Sequence, residues 1–281
     1  MRSTRYLLFV VVVALASGVA CADEARTAFR PCIDPSNLPF ANDKGEGFEN
    51  RIAALFAQKL GVPVQSFSFP QRMNFIRNTL RYRLPGEDYR CDVVMSVPAD
   101  YDQAWPTQPY YRSTYALVYA KGKGLDSVKS GDDLFALPAV VRERLRIGFF
   151  DKSPAAAWLI KHGMSEKQMQ PYPMMSPDPD QYPGQLVDTE LAQGKIDAAI
   201  VWGPIAGYFA KRVQSPELVV IPLRSEPGVK FDYAIAMGVR RGEAEWRATV
   251  DKLIADNQPA ITAILREYGV PLLDAQGAVI N

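Results

Sequence analysis

Histidine is almost missing: His162 is the single one in 281 residues. The chain holds no His-Glu-x-x-His zinc signature, no Gly-x-Ser-x-Gly elbow and no Gly-x-x-x-x-Gly-Lys-Ser/Thr phosphate cradle. Those absences leave metalloprotease, serine-hydrolase and P-loop chemistry without a carrier. His162 closes a predicted helix, where a basic group complements the helix dipole. Cysteine is scarce, with three in all. Charge of one sign is not in excess either, 32 basic residues standing against 31 acidic ones. A near-neutral balance argues against nucleic acid or an anionic membrane as partner. Low-complexity tracts are absent, and one apolar run alone stands out, at the N-terminus.

That run reads as an export leader covering residues 1–22. Arg2 and Arg5 form its basic start, Tyr6 to Leu15 its apolar core, and Ala20-Cys21-Ala22 its small-residue cleavage site. The run is short of the roughly 20 residues that a spanning helix needs, so stable membrane insertion is not expected. A lipoprotein would use Cys21, but Gly18 stands where such a site wants a bulky aliphatic residue. The mature chain is therefore expected in the periplasm, with about 259 residues and two cysteines. In an oxidising compartment Cys32 and Cys91 are disulfide candidates, with two buried thiols as the alternative.

What the chain does have is a phrase stated twice. Residues 90–98 read Arg-Cys-Asp-Val-Val-Met-Ser-Val-Pro, and residues 195–204 read Lys-Ile-Asp-Ala-Ala-Ile-Val-Trp-Gly-Pro. Each follows an amphipathic stretch and each predicts helix, turn, Asp, buried parallel strand and a proline-marked exit. Two such units imply two α/β lobes, with ligand-facing walls at the strand carboxyl ends, Ser96-Val97-Pro98 and Trp202-Gly203-Pro204. Around them we expect strands at Arg30–Asp34, Val64–Phe69, Leu145–Phe150 and Val219–Pro222. Helices are expected at Gly47–Leu60, Met73–Arg83 and Ala155–His162, the last capped by Ser153-Pro154. A helix over Glu245–Tyr268 should break at Pro259. Extended runs at Pro109–Ala120 and Phe231–Val239 would carry the chain between lobes, crossing near Tyr119 and Pro227. The proline- and methionine-rich segment 164–185 is expected to be an irregular surface loop, with a docking role as the alternative. Residues 23–118 with 230–281 would form the first lobe and 119–229 the second.

The order of Asn37-Leu38-Pro39-Phe40, Gly47-Phe48, Cys91-Asp92-Val93-Val94, Pro109-Tyr110-Tyr111, Leu145-Arg146-Ile147-Gly148 and Gly194-Lys195-Ile196-Asp197 resembles periplasmic solute-binding proteins of amino-acid transporters. The resemblance implies an α/β type II binding-protein fold with two lobes, a two-strand hinge and an interlobe cleft. Longer phrases are similar to the J proteins of methanol oxidation clusters (MxaJ/XoxJ type). They are Cys32 through Phe40, Gly45 through Asn50, Phe69-Pro70-Gln71-Arg72, Phe75 through Leu80, Cys91 through Met95, and Pro109 through Tyr115. That likeness implies a non-catalytic accessory factor of a pyrroloquinoline-quinone (PQQ) methanol dehydrogenase, with the lanthanide-dependent branch favoured and the dehydrogenase's cytochrome c as a second partner. It implies no cofactor of the chain's own.

Amino-acid binders clamp the ligand carboxylate with an arginine. The corresponding position falls near Asp100, in a segment without one, and the acidic anchor for the ammonium corresponds to Trp202. Both anchors look replaced. The candidate cleft residues are Asn37, Pro39, Phe40, Arg72, Ser96, Tyr101, Tyr110, Tyr111, Arg112, Ser153 and Trp202. Such an aromatic lining suits an apolar or planar ligand or a protein side chain, with plain packing between closed lobes as the alternative. Arg72, at a strand-to-helix corner, is a candidate contact, whereas Arg77 reads as a surface charge. Asp178-Pro179-Asp180 is too poor in oxygen ligands for a metal site. The alternative function is a transporter-linked receptor for a small, largely apolar or aromatic solute.

Overall fold

The β-branched and small apolar residues after Asp92 and Asp197 fold as strands whose side chains are buried on both faces, as central parallel strands require. A computed structural model describes residues 26–71, 74–174 and 181–280. The expected leader, Arg72 and the Asp178–Asp180 cluster lie outside the described residues.

The main strands are β1 (Pro31–Ile33), β2 (Phe67–Ser68), β3 (Val93–Pro98), β4 (Trp105–Ala120), β5 (Ile147–Phe150), β6 (Met169–Tyr172), β7 (Ala198–Trp202), β8 (Leu218–Pro222) and β9 (Asp232–Val239). The main helices are α1 (Phe48–Leu60), α2 (Phe75–Asn78), α3 (Ala155–Lys161), α4 (Gly203–Ala210) and α5 (Ala244–Glu267). In the first lobe β1 lies parallel to β2 and β3, and β9 runs antiparallel between β3 and the first half of β4. In the second, β5 lies parallel to β6 and β7, and the second half of β4 runs antiparallel between β7 and β8. β4 therefore belongs to both sheets. It leaves the first at Thr114, opposite Asp232 of β9, and enters the second at Tyr115, opposite Trp202 of β7. The two-lobe architecture with paired hinge strands follows from these registers.

The repeated phrase is a repeated structure. The Asp92 amide donates to the Arg30 carbonyl (2.7 Å) and the Asp197 amide to the Arg146 carbonyl (2.8 Å). Each arginine side chain then closes on the same aspartate. One phrase starts β3 beside β1, and the other starts β7 beside β5.

Several local expectations need correction. The helix expected over Met73–Arg83 is one turn, α2, because Thr79 leaves the helical region (φ −123°, ψ −88°) and lets Leu80 into the core. Val64–Phe69 yields only the two residues of β2, plus a bridge from Val64 to Phe29. Segment 164–185 holds a regular element, β6. Pro171 is tolerated there because β6 is the outermost strand of its sheet. Leu186–Leu191 winds as a π-helix. Pro259 does not break α5, whose buried stripe runs through Val250, Leu253 and Ile254 before the proline and Ile261 and Leu265 after it. That shared packing outweighs the roughly 3 kcal/mol that an interior proline costs.

Candidate functional site

A cavity of about 180 Å³ opens at the carboxyl ends of β1, β3 and β7. Asp34, just past β1, starts its rim. The Asp34 carboxylate accepts from the amides of Ser36 (2.9 Å) and Gln71 (2.5 Å), and the Asn37 side-chain amide donates to Gln71 Oε1 at 2.7 Å. A cis Leu38–Pro39 peptide turns the chain so that Phe40 comes back over the start of α1. Gly47 makes that approach possible, since a Cβ there would lie 2.0 Å from the Phe40 carbonyl oxygen. The Phe48 and Glu49 amides donate to the carbonyls of Pro39 and Phe40 (2.9 and 2.8 Å). Asn50 Oδ1 accepts from the Gly47 amide at 3.0 Å and caps the helix.

This construction puts the Glu49 side chain on the cavity floor, 7 % exposed. Burial pushes its carboxyl up to about 7, with the Ser96 hydroxyl opposing the rise and the Asp34 charge adding to it. Ser96 Oγ and Tyr110 Oη share a hydrogen bond of 3.1 Å. Burial and the neighbouring Tyr111 and Glu49 hold the Tyr110 phenol well above its ordinary range; burial and Glu49 do the same for Tyr111. The Tyr111 hydroxyl is buried, with the Ser96 hydroxyl within reach but no well-formed hydrogen bond among the described residues. Trp202 closes the cavity from the second lobe, its ring edge-on to Tyr115 (5.4 Å) and Tyr233 (5.8 Å). Among the described residues no lysine or arginine lines this space.

Of the sequence candidates, the structure brings Asn37, Phe40, Ser96, Tyr111 and Trp202 together around the cavity, with Tyr110 behind Ser96. Pro39 shapes the turn and does not line the space. Tyr101 packs instead against the cluster around the disulfide. Arg112 sits on the hinge, ion-paired with Asp232, which also accepts from the Ser225 hydroxyl. Its guanidinium borders a separate hollow against Ala275–Ala278. Ser153 precedes α3 in the second lobe. Its hydroxyl is buried, has no hydrogen-bond partner among the described residues and makes no capping bond. Cys32 and Cys91 are bonded to each other, with Cα atoms 5.3 Å apart. His162, past the last turn of α3, stacks on Phe135 at 4.1 Å and meets Glu226 at 3.1 Å. The residues that sequence reasoning passed over are Asp34, Gln71 and above all Glu49. Its signal was present: Glu49, Ile52, Ala53 and Phe56 are spaced as one face of α1, and all four are buried. A carboxylate on an otherwise apolar stripe is the anomaly to look for.

Two α/β lobes with mixed sheets, a pair of crossing segments and a cavity at the strand ends define a type II periplasmic binding-protein fold. The fold alone is shared with an ancestral cationic amino-acid solute-binding protein (TM-score 0.63, 16% identity, 86% of this chain and 96% of that one). Closer relationships follow from sequence. A curated protein MoxJ of Methylorubrum extorquens is 30% identical over 250 residues, 84% of this chain and 78% of its own. The crystal structure of the periplasmic binding protein XoxJ from Methylobacterium extorquens AM1 superposes with a TM-score of 0.68 at 32% identity, covering 88% of this chain and 99% of that one. No family profile matches the chain. The chain belongs to the MoxJ/XoxJ family, the solute-binding-protein-like J proteins of methanol oxidation.

Proposed function

We propose that the chain works in the periplasm, after loss of its leader, as a non-catalytic accessory protein that binds a PQQ-dependent methanol dehydrogenase and activates, assembles or stabilises it. One observation carries the reading. The cavity lies where the fold puts a binding-protein ligand, yet among the described residues no arginine lines it to clamp a carboxylate, and Trp202 stands in its wall; this supports a cleft that no longer serves free amino acids. Membership of the J-protein family supports the choice of partner. No helix among the described residues is long and apolar enough to cross a membrane.

The test is calorimetric titration of the purified mature chain with apo and holo methanol dehydrogenase. Tighter binding to the apo form is expected for an assembly or loading factor. Absence of binding to either form would overturn the proposal in favour of a solute receptor. Truncating Phe40, Tyr110 and Trp202 together should weaken engagement if the cleft is the contact; unchanged affinity would move the contact to the outer surface.

A further inference from the structure

The cavity has a chemical preference that its position alone does not dictate. Among the described residues its charged lining is acidic, from Asp34 and Glu49, and its walls include the rings of Phe40, Tyr111 and Trp202. The two carboxylates are not equivalent. Asp34 is occupied by two backbone amides. Glu49 has no ion-pair partner among the described residues, and its one side-chain hydrogen bond is from the Ser96 hydroxyl. Beside it lies the buried Tyr111 hydroxyl, which makes no well-formed hydrogen bond among the described residues and has only the Ser96 hydroxyl, shared with Glu49 and Tyr110, within reach. An anion entering here would meet two carboxylates. A purely apolar group would leave Glu49 and Tyr111 unmatched, and buried polar groups without partners are costly. A cation gains from every element of the wall: the carboxylate as counter-ion, the phenol oxygen as acceptor, and the ring faces through their quadrupoles. Size narrows the choice. At about 180 Å³ the space is smaller than the roughly 300–1,000 Å³ of pockets for drug-sized ligands, and fits a head group better than a fused-ring cofactor.

We infer that the cavity receives a cationic side chain, a lysine ammonium or arginine guanidinium presented by the dehydrogenase, with Glu49 as its counter-ion and Tyr111 as an acceptor. The inference rests on the accessory reading for the source of the cation, and on the cavity itself for its charge.

The two can be separated experimentally. The purified mature chain is titrated by NMR with n-butylammonium chloride, with sodium chloride at equal ionic strength and n-butanol as controls. The same protein is then titrated with methanol dehydrogenase. Wild type should bind n-butylammonium above both controls. Glu49→Gln should weaken butylammonium and dehydrogenase binding at least tenfold each while still melting cooperatively. Tyr111→Phe, which deletes a hydroxyl with no well-formed hydrogen bond of its own and so should fold normally, should weaken both by a smaller factor. Equal binding of butanol and butylammonium, or dehydrogenase affinity unchanged in Glu49→Gln, would overturn the cation site and leave the accessory reading standing. Glu49-dependent butylammonium binding by a chain that never engages the dehydrogenase would support the cation site but overturn the dehydrogenase as its source.

Discussion

Glu49 is held in the fold at an energetic cost, and the sign of that cost can be measured. Its carboxyl is raised from an ordinary 4.5 to about 7 by burial, so between those values the folded chain keeps a proton that the unfolded chain has lost. Stability attributable to this residue is full below about pH 4.5, falls as pH rises towards 7, and is constant above. A rise of that size corresponds to on the order of 3 kcal/mol. Glu49→Gln should therefore melt higher than wild type at pH 8, with the gain shrinking towards zero at pH 4.5. Thermal melts at both values check this; an equal offset at both would mean that the burial cost is not electrostatic. The tyrosines around Glu49 stay neutral across this range, because burial raises both phenols.

The Asp-strand unit is the element most legible in the sequence, because its signal is local: a turn, an aspartate and an apolar run long enough for one buried strand. Its two copies are not energetic equals. Asp92 is fully buried, takes two bonds from Arg30 (2.7 and 3.1 Å) and one from Arg240 (2.6 Å), and lies 3.2 Å from Arg26. Burial alone would raise its carboxyl, but these arginines hold it below the ordinary range. Asp197 pairs with Arg146 near the surface. Asp92→Asn takes the fully buried carboxylate from Arg240, Arg30 and Arg26, leaving Arg240 only the partly exposed Glu243 at 2.6 Å as counter-ion among the described residues, and should cost about 3–5 kcal/mol, whereas Asp197→Asn should cost at most about 1 kcal/mol. Urea denaturation of the two variants decides it. What the sequence hid was set at long range. Unbroken α5 depends on packing along both sides of Pro259, the strand at Met169–Tyr172 on an open sheet edge next to β5, and the short α2 on Leu80 being drawn inward. The cleft aromatics were legible from strand ends. Glu49 was legible only as an oddity, a carboxylate on the apolar stripe of α1; that it faces a cavity depends on Phe40 and Ser96 being placed against it.

The lobes meet away from the cavity as well as across it. Tyr268, after α5, donates its hydroxyl to the Glu46 carbonyl at 2.5 Å and stacks on Tyr208 of α4, 5.6 Å between centroids. Beside that stack, a Cβ on Gly207 of α4 would lie 1.8 Å from the Gly269 carbonyl oxygen. Gly207→Ala must force these backbones apart, at about 1–3 kcal/mol if the site can relax. We expect a lower melting temperature and a larger radius of gyration in small-angle scattering; an unchanged radius would mean that the lobes do not pivot about this contact. One consequence of the Cys32–Cys91 bond reaches further. The covalent ring spans 59 residues in sequence and contains Asn37, Phe40, Glu49 and Gln71 of the cavity wall. It also contains residues 81–88, every one of them exposed. A protease that nicks this stretch, after Arg81 or Arg83 for example, cuts the chain without parting it. The nicked protein should run as one species on a non-reducing gel and as two fragments once reduced, and its cavity should survive the cut until the thiols are freed.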